Sequence, residues 1–112
     1  MSSDPSNGSL VSLINLAKVS VTTTPQDIRT LLRAATPAND LDDQAKRVTI
    51  WNVGSETIYV DTGNRAPTTS SFELLPTANI TLHVTARTAR ELQFATASGS
   101  SNMNIAQQGD NI

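Results

Sequence analysis

The chain contains no cysteine, so neither a disulfide framework nor thiol chemistry can contribute to its fold or function. Charge is also scarce, because Asp, Glu, Lys and Arg make up 16% of the 112 residues and leave a net charge of −2. No basic block occurs, which argues against nucleic acid as a direct partner, since phosphate neutralisation needs clustered Lys and Arg. No apolar stretch is long enough for a membrane span or a signal peptide, so we expect a soluble protein made in the cytoplasm.

Small polar residues are abundant in the composition, whereas charged and apolar residues are few. The chain has 12 Ser and 15 Thr, whereas apolar residues reach only 38%. Small polar and β-branched side chains suit half-buried strands and turns, so the composition favours β structure. The length is that of one domain with a core of modest size.

The N-terminal stretch changes from polar to apolar. Residues 1 to 9 are mostly Ser, Asp, Pro, Asn and Gly and are expected to form a flexible arm. The following "LVSLINLA" fits a strand or a helix, and it is either the first core element or an apolar arm that docks on a neighbouring subunit. We assign residues 1 to 18 to this arm. Its candidate interface residues are Leu10, Val11, Leu13, Ile14 and Leu16.

The clearest helix signal is "TTPQDIRTLLRAA". Thr24 is placed to cap the helix, Pro25 takes the first helical position, and Asp27 takes the acidic third position of a capping box. Apolar residues then follow at i, i+3, i+4 and i+7, which gives one apolar stripe. Pro37 ends this pattern, so the sequence predicts a helix over about residues 25 to 35.

From Arg47 onward the apolar period changes from 3.6 to 2. Gly, Ser, Asn and Pro separate six short alternating segments at roughly ten-residue spacing, which is typical of an antiparallel sandwich or barrel. The sequence therefore predicts an all-β domain over residues 19 to 108, an antiparallel β-sandwich or jelly-roll-like barrel with one short α-helix and an extended N-terminal arm. Residues 109 to 112 are a tail. The predicted strands are 47–53, 57–61, 72–75, 79–84, 91–97 and 103–107.

The first two of these strands are predicted to form a hairpin around "GSE". Val48 and Ile50 would face inward, and Trp51 would lie across from Tyr59 on the outer face. Such an aromatic pair either stabilises the sheet or contributes to a contact between subunits. Trp51 and Tyr59 therefore complete the set of candidate interface residues.

Asp61-Thr62-Gly63 spells the triplet that aspartic proteases place at a strand tip. Those enzymes also need a glycine-rich flap and a second apolar-apolar-Gly segment, and the region after residue 64 offers only Gly99 and Gly109 among polar neighbours. Asp followed by Thr-Gly is also a common turn, because Asp bonds its own backbone and Gly adopts positive φ. We interpret the triplet as a turn.

The remaining polar residues form no motif for catalysis or metal binding. His83 is the single histidine, and alternation places it on an exposed strand position. No G-x-S-x-G segment accompanies it. The acidic "DLDD" at residues 40 to 43 lacks the glycine and glutamate that a calcium loop needs. We expect no catalytic residues, no cofactor and no metal, and therefore no enzyme.

The order of segments resembles a class of small tailed-phage virion proteins. The matching pieces are "VSVTTT" (19–24), "RVTIWNVGSETIYVDTGN" (47–64), "LLPTANITL" (74–82) and "FATASGSSNMNI" (94–105), and together with what lies between them they cover about three quarters of the chain. The helix insert and the apolar arm depart from the pattern.

This resemblance implies a β-sandwich that decorates or cements the phage capsid. The expected partners are the major capsid protein and further copies of the chain, in a homo-oligomer such as a trimer, without direct contact to nucleic acid or membrane. The expected location is the capsid surface of the virion, after synthesis in the host cytoplasm. Alternatives are a head–tail connector or tail component, a carbohydrate-binding module, and a retroviral-type aspartic protease.

Overall fold

The computed structural model describes residues 13 to 109, with side chains from Asn15 onward, as short strands and two short helices. Along the chain these elements are β1 (Leu13–Val21), β2 (Gln26–Asp27), α1 (Ile28–Arg33), β3 (Arg47–Asn52), β4 (Ile58–Asp61), β5 (Phe72–Leu74), β6 (Asn79–His83), α2 (Ala86–Arg90), β7 (Gln93–Thr96) and β8 (Ser101–Gln108).

The strands form two antiparallel sheets of four strands each. The first sheet has the order β1-β8-β3-β6 and the second sheet the order β2-β7-β4-β5. Every connection between consecutive strands therefore crosses to the other sheet, except the one from β4 to β5. Eight strands arranged in two sheets in this way form a jelly roll. The predicted all-β sandwich is confirmed.

One hydrophobic core lies between the two sheets, because successive strand residues point to opposite sides. In β3, Val48 and Ile50 are fully buried, as the alternation predicted, whereas Trp51 is 41% exposed. The helix α1 covers part of the same core. Its buried residues join those of both sheets in a single cluster: Ala17, Val19, Val21, Ile28, Leu31, Leu32, Val48, Ile50, Ile58, Val60, Leu74, Leu92, Phe94, Met103 and Ile105.

The strand β1 begins within the stretch that the sequence assigned to the arm. It runs antiparallel to β8 from Leu13, beside Gln108, to Val21, beside Ser101. Residues 13 to 18 therefore belong to the first sheet, and the boundary between arm and domain moves from residue 18 to the start of β1. The rest of the predicted arm, residues 1 to 12, and residues 110 to 112 of the predicted tail lie outside the described residues.

The helix α1 is shorter than predicted and has a different cap. Asp27, not Thr24, is the N-cap, and its side chain accepts a hydrogen bond of 2.7 Å from the backbone N–H of Thr30. Gln26 and Asp27 are extended because they pair with β7, where Gln26 lies beside Phe94. This pairing prevents the helix from starting earlier in the chain.

The second helix, α2, was not predicted. Its N-cap is Thr85, which exchanges hydrogen bonds with Thr88 in a capping box. The helix has five residues, of which only Ala89 is buried. A helix this short has no apolar stripe that a periodicity search would find.

The predicted hairpin between β3 and β4 is wrong, because the two strands lie in different sheets. β3 pairs with β6 and β8, whereas β4 pairs with β5 and β7. Residues 53 to 57 therefore cross from the first sheet to the second instead of reversing the chain within one sheet.

A buried amide holds this crossing in place. Asn52 is fully buried, and its Nδ2 donates to the carbonyl oxygens of Glu56 at 2.7 Å and Leu74 at 2.9 Å. Its Oδ1 accepts from the backbone N–H of Gly54 at 3.1 Å and from the hydroxyl of Ser101 at 2.7 Å. Both donor hydrogens and both acceptor positions of the amide are therefore used.

A second buried amide lies at the opposite end of the sandwich. Gln107 is fully buried in β8, and its Nε2 donates at 2.9 Å to both the side-chain oxygen of Asn15 and the carbonyl oxygen of Asp40. Its Oε1 accepts from the backbone N–H of Asp42 at 2.7 Å. This amide attaches the loop between α1 and β3 to the first sheet.

Candidate functional site

Two of the seven candidate interface residues are not placed by the structure, and two more are placed by their backbone alone. Leu10 and Val11 lie outside the described residues. The backbone places Leu13 and Ile14 at the start of β1.

Leu16 and Trp51 lie on the same outer face of the first sheet. Across the strands, Leu16 lies beside Ala106 in one row, while Asn104 lies between Lys18 and Trp51 in the next. We call this surface the Trp51 face. Its outward residues are Leu16, Lys18 and Ser20 of β1, Asn102, Asn104, Ala106 and Gln108 of β8, Arg47, Thr49 and Trp51 of β3, and Asn79, Thr81 and His83 of β6.

The Trp51 face combines exposed apolar side chains with neutral polar ones. Leu16 is 59% exposed and Trp51 is 41% exposed. Most of the side chains between and beside them are Thr, Asn and Ser, with Lys18, Arg47 and His83 as the ionisable exceptions. The hydroxyls of Thr49 and Thr81 are hydrogen-bonded to each other at 2.8 Å. Neutral groups of this kind cost less to remove from water than charges do, so the face is suited to burial against another protein surface.

Tyr59 lies on the opposite side of the molecule. It is in β4 of the second sheet, between Ala95 and Glu73, with Ile58 and Val60 on either side of it pointing into the core. The predicted contact between Trp51 and Tyr59 is therefore not formed. A single flat surface cannot include both aromatic residues, and Tyr59 is separated from the Trp51 face by the whole core.

The ion pairs of the described residues lie away from the Trp51 face. Two of them join α1 to Asp40, from Arg29 at 3.6 Å and Arg33 at 3.0 Å. The others join Arg65 to Asp61 at 3.2 Å and Arg87 to Glu91 at 3.7 Å, in loops and helices at the ends of the strands. The arginine side chain of each pair is at least 40% exposed, so each pair contributes little to stability.

The Asp-Thr-Gly triplet forms a turn at the end of β4. One oxygen of Asp61 accepts from the backbone N–H of Thr62 at 2.8 Å and from Arg65 at 3.2 Å, and the other accepts from the hydroxyl of Ser71 at 3.1 Å. Gly63 adopts a φ of +67°, which glycine tolerates best. The hydrogen bond from Thr62 is the main contact that lowers the pKa of Asp61, and the bonds from Ser71 and Arg65 add to it.

The lowered pKa of Asp61 predicts how the stability of the folded chain changes with acid. The pKa of Asp61 in the folded chain lies below the ordinary aspartate value of about 3.9. Its contribution is therefore present above that pH and is lost as the pH falls through the lower, folded pKa. We expect an Asp61→Asn variant to be slightly less stable than wild type at pH 7, and the gap to close in denaturation curves measured below about pH 4. A gap that stayed constant down to pH 2 would contradict this account.

A cleft of about 330 Å³ lies beside this turn. Arg65, His83 and Glu91 line it over a floor that includes Leu82 and Leu92. His83 is exposed, as alternation predicted. The loop after β4 and the segment after α2 meet beside His83, and no local pattern in the sequence predicts this proximity, because it depends on the packing of the two sheets.

The described residues contain no cluster of three or more His, Asp or Glu side chains that could hold a metal ion. Among residues 13 to 109, no helix is long and apolar enough to cross a membrane.

Comparisons of the chain with protein-family models, with curated proteins and with solved structures give no match. The surface of the chain is therefore what bears on its function.

Proposed function

We propose that the chain is a non-enzymatic protein of a tailed-phage particle that binds the lattice of the major capsid protein and stabilises it. The observation that carries this proposal is the Trp51 face, a broad sheet surface with exposed Leu16 and Trp51 among side chains that are mostly polar and neutral. The resemblance to phage virion proteins supports it, because its longest segment, residues 47 to 64, contains β3 of this face and the crossing between the sheets.

Trp51 is the expected anchor of the contact. Large aromatic side chains contribute a disproportionate share of binding energy when they become fully buried in an interface. The neighbours of Trp51 in its row are Asn104 and Asn79, whose amides can form hydrogen bonds across an interface. Leu16 lies two strands away and extends the apolar contact.

The size of the face sets the strength of a single contact. Four strands spaced by about 4.8 Å and up to nine residues long cover at most about 570 Å². That is less than the roughly 800 Å² which each partner buries in a typical stable complex. Strength must then come from repetition, which a shell lattice supplies and a symmetric homo-oligomer such as a trimer multiplies.

The jelly-roll fold is compatible with this role but does not establish it. Jelly rolls occur in viral capsid domains, and also in lectins and cupins. One fold serves many functions, so this likeness is an analogy. The proposal therefore rests on the chemistry of the Trp51 face.

The proposal predicts that the bound protein raises the temperature at which capsids release DNA. A protein that binds only the assembled lattice stabilises it by mass action. Capsids stripped of the protein should keep their shape and release packaged DNA at a lower temperature. Adding the purified chain back should restore the original release temperature at a saturating copy number related to the symmetry of the lattice.

Two aromatic variants test which surface is used. We expect Trp51→Ala to weaken capsid binding by about tenfold or more, since hot-spot residues contribute about 2 kcal/mol. Tyr59→Ala is the matched control, because Tyr59 lies on the opposite face, and should bind as wild type does.

The DNA-release experiment has its own contrary outcome. Identical release curves with and without wild-type protein that is shown to be bound would rule out cementing and leave a connector or tail role.

A further inference from the structure

Charge is distributed unevenly over the surface of this nearly neutral chain. The Trp51 face contains Lys18 and Arg47, and His83 lies beside Arg47 on the neighbouring strand. No described carboxylate lies on this face. The described carboxylates lie on the second sheet or in loops and helix ends: Asp27, Asp40, Asp42, Asp43, Glu56, Asp61, Glu73 and Glu91.

The two cations of the face also differ from most of the others in the chain. The arginines at positions 29, 33, 65 and 87 each pair with a carboxylate of the same chain. Among the described residues, no carboxylate lies within 4.0 Å of Lys18 or Arg47. Lys18 is exposed, and Arg47 donates to the carbonyl oxygen of Gly109 at 3.0 Å.

We infer that the protein surface which the Trp51 face meets is acidic, with carboxylates placed opposite Lys18 and Arg47. This inference rests on the function proposed above and names the chemistry of its partner. Lys18 lies two strands from Trp51, at about 10 Å, and Arg47 lies four residues along β3 from it, at about 13 Å. The two cations therefore flank the aromatic anchor and fix the orientation in which an acidic surface docks.

The same charges disfavour two other occupants. A second copy docked face to face in a two-fold contact would bring like charges together, because such a contact uses the same patch twice. Nucleic acid is a poor fit, since two cations and one histidine neutralise few phosphates and duplex binding depends on many such contacts.

The inference changes the expected effect of salt. A net charge of −2 alone predicts that binding depends only weakly on ionic strength. Because no described carboxylate pairs with the cations of the Trp51 face, we expect instead that affinity for stripped capsids falls about tenfold between about 0.05 M and about 0.5 M salt.

Charge-reversal variants test this expectation on stripped capsids. Lys18→Glu should bind about fivefold more weakly than wild type at low salt and show a flatter salt dependence, in keeping with the strength of exposed ion pairs. Arg90→Glu is the matched control, because it makes the same charge change on α2, away from the Trp51 face. Trp51→Ala should weaken binding and leave the salt dependence unchanged.

Chemical cross-linking locates the carboxylates directly. A carbodiimide joins a lysine amine to a contacting carboxylate as an amide and takes up the released water as a urea. The chain has two lysines, Lys18 and Lys46, and both are exposed. Only Lys18 lies on the Trp51 face, so mass spectrometry should find capsid Asp or Glu residues linked to Lys18 and not to Lys46.

The outcomes separate this inference from the proposed function. Three results would contradict an acidic partner surface and leave capsid binding itself intact. They are an affinity that does not change with salt, an equal loss of affinity in Arg90→Glu and Lys18→Glu, and cross-links at Lys46 alone. Duplex DNA bound at about 0.15 M salt through Lys18 would also contradict an acidic partner. Failure of wild-type protein to bind capsids at any salt would overturn the proposed function itself.

Discussion

An Asn52→Asp variant should lose about 3–5 kcal/mol of folding free energy at pH 7, a large share of the roughly 5–15 kcal/mol by which a domain is stable. The substitution keeps the size of the side chain and replaces the amide nitrogen with an oxygen. That oxygen would face the carbonyl oxygens of Glu56 and Leu74, which now accept hydrogen bonds at 2.7 and 2.9 Å. The new carboxylate would also be fully buried, and none of the four groups that bond to Asn52 is a cation.

The pH dependence of this loss identifies its cause. Burial and two facing acceptors favour the protonated form of the introduced carboxyl, so its pKa in the folded state rises above the unfolded value of about 3.9. The part of the loss that comes from the charge is therefore absent below that pH and grows as the pH rises through it. A smaller part remains at low pH, because the protonated carboxyl has one donor hydrogen for two carbonyl oxygens. Urea denaturation at pH 7 and pH 4 should show a smaller difference from wild type at the lower pH.

Asn102→Asp provides the control for the Asn52 experiment. Asn102 is exposed on β8, next to Ser101, which donates to Asn52. The same chemical change at this surface position should alter stability by less than about 0.5 kcal/mol. Equal losses in the two variants would show that general charge effects, rather than the hydrogen bonds of Asn52, determine the result.

The inward and outward faces of the strands were predictable because alternation is a local property. Val48 and Ile50 are buried and Trp51 is exposed, as the period of 2 required. The same alternation also placed Asn52 inside. A polar residue at an inward position of a strand is a signal for a buried hydrogen-bond centre, and it was available in "RVTIWN".

The pairing of the strands was not predictable, because it depends on distant parts of the chain. The segment "GSE" has the composition of a hairpin turn, yet the chain crosses there between sheets. The predicted cap of α1 was wrong for a related reason, because the pairing of Gln26 with Phe94 keeps residues 26 and 27 extended. In both cases tertiary pairing outweighs local propensity.

For the same reasons, the sequence could identify single members of the Trp51 face but not the face itself. Leu16 and Trp51 are exposed as single residues, but only the order β1-β8-β3-β6 places them on one face. The same order puts Lys18 and Arg47 with them and leaves Tyr59 on the other side. Net charge carries no information about such an arrangement, because it sums over surfaces that point in opposite directions.

A Gln107→Leu variant should lose about 2–3 kcal/mol and release the loop between α1 and β3. Leucine fills a similar space at this inward position but forms no hydrogen bonds. The substitution leaves three partners unsatisfied: the side chain of Asn15, the carbonyl of Asp40 and the amide of Asp42. These partners lie toward the surface, so water can replace part of the loss, and the effect should be smaller than that of Asn52→Asp.

Hydrogen exchange separates loop release from general destabilisation. The amide of Asp42 donates to Gln107 at 2.7 Å, so its exchange in wild type requires this bond to open. In Gln107→Leu we expect Asp42 to exchange far faster than the amide of Ile105, which belongs to the same strand as Gln107 and lies in the core. Gln108→Leu, a change at the neighbouring outward position of β8, should leave Asp42 protected. Unchanged protection of Asp42 in Gln107→Leu would mean that the loop is held by other contacts, such as the ion pairs of Asp40 with α1.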